Sequence, residues 1–130
     1  MADMEKVRAQ KIKSFVQDVL GCGCAEEVFR TIELKPDVYG NTPYDRINIG
    51  NRLLVYIFRD LEPGFIRNEL AGVARAGKKE RDGAGFNRFR LALADVSPAD
   101  RRTAKQMFEG LDFLDDRMYL HFVKKGQVEL

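Results

Sequence analysis

The chain has 130 residues, 45% of them hydrophobic and 32% charged, with a net charge of +2. That length and balance suit one globular domain, residues 1–130, with enough core to fold without staples. Interspersed basic and acidic residues give no electrostatic basis for nucleic acid or membrane as the main partner. No apolar run approaches the roughly 18 residues of a membrane span. The N-terminal residues lack the apolar region of a secretory signal, so the expected location is cytoplasmic.

In chain order, residues 3–20 read as an amphipathic helix. Val7, Ile12, Phe15, Val16, Val19 and Leu20 recur at helical spacing with Met4, Asp3 is a candidate N-cap, and Gly21 falls where a helix C-terminus favours glycine. Residues 24–33 read as a second, short helix ended by Lys35-Pro36-Asp37, since proline cannot continue a helix. A polar loop then runs from Asp37 to Pro43. Tyr44–Ile49 alternates as a strand, and Gly50-Asn51 is a two-residue hairpin turn. Leu53–Phe58 is apolar throughout, as in a strand covered on both faces at the centre of a sheet.

Residues 63–77 follow as a helix with Gly77 as its stop, then a mobile, mixed-charge loop from Lys78 to Gly85. Phe86–Ala94 is a strand with Phe89, Leu91 and Leu93 on one face and Arg88, Arg90 and Ala92 on the other. Ser97-Pro98-Ala99-Asp100 opens a helix to about Glu109, with serine at the N-cap and proline at N1. Met118–Lys124 is the last strand, and the tail from Gly126 is expected to fray. The expected fold is therefore α+β, a single mixed four-stranded sheet packed with helices in the order α-α-β-β-α-β-α-β.

Gly21-Cys22-Gly23-Cys24 holds both cysteines of the chain. A disulfide needs Cα atoms about 4.4–6.8 Å apart. Residues i and i+2 of an extended chain span roughly 6.6 Å, and Gly23 permits a tighter bend. Small, strained disulfides are the easily reduced ones, which suits a bond that cycles with a partner dithiol. With Cys24 as cap of the following helix it would be the attacking thiolate and Cys22 the resolving thiol; Glu26 and Glu27 oppose that activation.

The same two residues are half of a soft-metal site for zinc, copper or an iron–sulfur cluster. Closing it would need His121 and a carboxylate, or a second copy of the chain. The remaining alternative is a non-enzymatic binding or assembly domain in which the cysteines are structural. The pair superficially resembles that of thioredoxin-like proteins, with one spacer residue instead of two. There the pair follows a strand and opens a helix, whereas here it follows a helix, and no family is assigned.

Three other groups carry weaker signals. Lys78, Lys79, Arg81, Arg88 and Arg90 could hold an anion, but lack the P-loop spacing and read as a solvated surface. His121 matters chemically only where the fold brings it beside the cysteines. Asp112, Asp115 and Asp116 lack the ligand series of a calcium loop and read as an acidic turn.

Overall fold

Leu53–Phe58 is the strand on which the rest is built. In the computed structural model, which describes residues 2–21 and 23–129 and the side chains from residue 6, every residue of this strand is buried. It is the third of five strands: β1 (Ile32–Tyr39), β2 (Thr42–Ile49), β3 (Leu53–Phe58), β4 (Arg88–Ala94) and β5 (Met118–Val123) lie side by side in that order. β1, β2 and β3 form an antiparallel meander, whereas β3, β4 and β5 are parallel. The parallel pairs need crossovers, supplied by helices α2 (Phe65–Ala84) and α3 (Pro98–Glu109).

Side chains alternate across a strand, so the sheet has two covered faces. On one, Leu54, Tyr56, Phe58, Phe89, Leu91 and Leu93 meet the apolar sides of α2 and α3. On the other, Ile47, Ile49, Val55, Ile57 and Ala92 meet Ile12, Phe15, Val16 and Leu20. These last belong to helix α1 (Ala2–Ser14) and the π-helical turn Phe15–Val19 that extends it. The Asp3 cap and the contacts of Met4 lie outside the described side chains. No helix among the described residues is long and apolar enough to cross a membrane.

The fold class agrees with the sequence reading, but the sheet has five strands rather than four. The second helix is a single 3₁₀ segment, Glu26–Arg30, and the chain enters β1 at Ile32. Pro36 lies within that strand, opposite Asp45. β1 is an edge, where a missing N–H costs no ladder bond. The expected polar loop is the turn of a hairpin, with Tyr39 opposite Thr42 and Gly40 at φ 59°.

The second hairpin loop holds three residues, not two. Ile49 pairs with Leu53, and the Arg52 N–H donates to the Ile49 carbonyl at 3.0 Å. Gly50 and Asn51 both take positive φ. The Asn48 side chain fixes this geometry by accepting from the Asn51 N–H at 2.9 Å. A Cβ at Gly50 would lie 2.4 Å from the Val28 carbonyl oxygen, so the 3₁₀ segment rests directly on the turn.

α2 continues to Ala84 through the stretch expected to be a mobile loop. Arg81, near its end, is 1% exposed. Its guanidinium donates to Asp82 and, from Nη1 at 2.8 Å, to Asp115 in the loop before β5. Ser97 caps α3 as expected, accepting from the Asp100 N–H at 3.2 Å.

The tail expected to fray is structured and packed as far as Val128. Lys125–Val128 forms a 3₁₀ turn, Val128 is fully buried in the second core, and its carbonyl accepts from Arg59 Nε at 2.8 Å and Nη2 at 2.6 Å. Val128→Ala removes two buried methyl groups and should cost about 1–2 kcal/mol. Urea unfolding with an unchanged m-value checks this; a difference under a few tenths would mean the tail is not part of the core.

Candidate functional site

The loop carrying the cysteines leaves the π-turn at Leu20, whose N–H still donates to the Phe15 carbonyl at 3.1 Å. Gly21, at φ 69°, reverses the chain there. Gly21 and Gly23 are exposed, and Cys24 is half-buried against the edge of the second core. Cys24 is disulfide-bonded. Cys22 lies outside the described residues. Cys24 is not the helix cap expected of it: Ala25 precedes the 3₁₀ segment, which is only five residues long. A single such turn lacks the aligned dipole that would activate a thiolate.

Opposite this loop stands a group that the sequence reading left on the surface. Arg90 is the β4 residue paired with Val55 on one side and Tyr119 on the other, on the sheet face that α1 covers. It is therefore 6% exposed. Its Nη1 donates to the Leu20 carbonyl at 3.0 Å, and its guanidinium carbon lies 4.3 Å from the centre of the Tyr119 ring. Nη1 also lies 3.0 Å from His121 Nε2. Arginine is always the donor, so Nε2 accepts and the neutral imidazole carries its proton on Nδ1.

Both groups are electrostatically stressed. Burial, then the positive charge of Arg90, pushes His121 down to about 4. Burial is also the main influence on Arg90, whose pKa is lowered, with Arg88 repelling it and Tyr119 acting the other way. Arg90 Nε has no hydrogen-bond partner among the described residues, and none of their ion pairs includes Arg90. The fold thus ties His121, through Arg90, to the residue that begins the cysteine loop.

The other candidates are accounted for by structure. Lys78 donates to the Phe113 carbonyl at 2.6 Å and Arg81 pairs with Asp82 and Asp115, so the expected basic loop is helix surface and buried clamp. Asp115 is the acceptor of that clamp. Among the described residues, no group of three or more histidine, cysteine or acidic side chains is placed to hold a metal.

A cavity of about 340 Å³ opens at the carboxyl ends of β3 and β4, bounded by Glu62, Gly64, Asp95, Ser97 and Asp100. Parallel sheets often bind ligands at that end, and both crossover helices begin there. Its carboxylates oppose the anion that helix N-termini favour, so the lining specifies no ligand class. The chain matches no known protein family, curated protein or solved structure.

Proposed function

We propose that this is a small cytosolic thiol–disulfide protein in which Cys22 and Cys24 form a reversible disulfide that exchanges electrons with a partner dithiol. The observation that carries the reading is that Cys24 is disulfide-bonded in a half-buried position beside exposed glycines. The chain has only two cysteines, and a bond across one intervening glycine closes a very small ring, the kind that is readily reduced. In a reducing compartment such a bond cycles rather than staples. The partner's thiolate attacks one sulfur, a mixed disulfide forms, and the partner's second thiol resolves it. Two electrons and two protons pass from the partner's dithiol, which becomes a disulfide.

Intact mass of the native protein in poised dithiothreitol buffers tests this. The expected result is a monomer that gains two hydrogens on reduction and loses them on reoxidation, without unfolding. A pair already alkylatable before reductant, a bond that resists dithiothreitol until the protein unfolds, or bound zinc, copper or iron in its place would overturn the reading.

A further inference from the structure

We propose that Arg90 is the positioning residue that tunes the Cys22/Cys24 pair, holding a fixed positive charge at the root of the cysteine loop to stabilise the thiolate formed on reduction. The inference rests on the redox reading above, and it concerns a residue seventy positions away from the loop it grips.

Two buried arginines differ in what surrounds their charge. Arg81 and Arg90 are 1% and 6% exposed. Burying a guanidinium is costly unless it is paired, and Arg81 obeys the rule with two carboxylates. Among the described residues, Arg90 faces only a carbonyl, a histidine nitrogen and an aromatic ring, with Nε left over. The charged groups around it make matters worse, since Arg88 is of like sign and protonation of His121 would add a second cation. Among the described residues, such a site has a positive field and no anion beside it. The chain segment it holds is Leu20, a member of the second core and the residue immediately before Gly21-Cys22-Gly23-Cys24; Cys24 packs against the edge of that same core.

Reduction can supply the missing anion. The partner's two thiols lose two electrons and two protons as their disulfide forms. The Cys22–Cys24 bond breaks, takes both electrons and one of the protons, and becomes one thiol and one thiolate; the other proton goes to solvent. A positive charge nearby favours the thiolate and so makes the pair a stronger oxidant.

The full chain is compared with Arg90→Gln, which keeps an uncharged N–H donor but drops the charge, and with Arg90→Lys, which keeps the charge. Iodoacetamide alkylation of the reduced proteins against pH reads the thiolate. Equilibration with dithiothreitol reads the oxidising strength. Arg90→Gln should lower the thiolate fraction at neutral pH about tenfold, the equivalent of one pKa unit. Its equilibrium should move toward the disulfide by a similar factor. Arg90→Lys should stay within about threefold of the parent. A folded Arg90→Gln protein indistinguishable from the parent in both readouts overturns the proposal.

His121, the only histidine in the chain, supplies a second test in the unmodified protein. A thiolate that offsets the Arg90 charge should raise the His121 pKa from about 4 on reduction, read from its ring protons by NMR. An identical titration in both redox states overturns the proposal. A pair that reduces and reoxidises but ignores Arg90 leaves the redox reading standing, whereas a pair that will not cycle removes both.

Discussion

Asp115→Ala is expected to destabilise the fold by about 3 kcal/mol, the low end of the cost of leaving a buried charge without its partner. The side chains of Arg81 and Asp115 are 1% and 28% exposed. The contact is a two-pronged fork: Nη1 and Nη2 of Arg81 donate to separate oxygens of Asp115, one of which also accepts from the Arg117 N–H at 2.9 Å. The clamp fixes the last turns of α2 to the segment between α3 and β5. Asp82, the other acceptor, is 53% exposed; solvent already screens it, so Asp82→Ala should cost under about 1 kcal/mol. Urea unfolding of the two variants decides the matter. Equal costs would mean that burial of Arg81 is not what gives Asp115 its weight.

The same clamp sets an acid limit. The hydrogen bond from Arg81, with help from the Arg117 N–H, holds the Asp115 carboxyl well below the usual carboxylate range. The folded protein therefore binds this proton less readily than the unfolded chain. The contribution is complete above the unfolded carboxylate value, about 3.9, and is lost as the pH falls below it toward the folded value. His121 is also depressed, but its window is higher: stability falls as pH drops from the ordinary imidazole value, about 6.5, toward 4. The stability gap between the parent and Asp115→Asn should hence be constant through the histidine window and close only in stronger acid.

Patterns local to one element were readable from the chain; charges paired across elements were not. Leu53–Phe58 announced a doubly covered strand because all of its residues are apolar, and Ser97-Pro98 announced a helix start because the cap is local chemistry. β1 was hidden because Val28, Phe29 and Ile32 also fit a helical face, and Pro36 reads as a breaker unless its strand is known to be an edge. Arg81 read as solvated because its acceptor Asp115 is far along the chain. Arg90 was assigned to the correct face of its strand, opposite Phe89 and Leu91. What the alternation could not tell is that α1 covers that face as well, which turns a surface arginine into a buried one. The cysteine pair was visible from its spacing, but the contacts of Arg90 with His121 and with Leu20, the residue before the cysteine loop, exist only in three dimensions.

Gly77→Ala is expected to destabilise the fold. The glycine suggested a helix stop, yet it lies in the middle of α2 and is buried. A Cβ there would lie 2.2 Å from Phe89 Cζ and 2.5 Å from both Cε atoms. The helix backbone therefore rests on the tip of that ring. Phe89 cannot retreat easily, being fully buried and held edge-on to Tyr56 with ring centres 4.9 Å apart. Overpacking of a close-packed core costs about 1–3 kcal/mol, and a ring with no free side places this site at the upper end. Alanine's better helix propensity offsets about 1 kcal/mol, so Gly77→Ala should destabilise by about 2 kcal/mol net. Gly83→Ala in the same helix is the internal control. It meets nothing within 4 Å and should stabilise by up to about 1 kcal/mol through propensity alone. Combining Gly77→Ala with Phe89→Leu, which withdraws the ring, should cost less than the sum of the two single changes, because the substituted groups share one contact. Thermal or urea unfolding of the set reads all three. A stabilising Gly77→Ala, or strict additivity with Phe89→Leu, would show that contact with the Phe89 ring is not why glycine occupies this position.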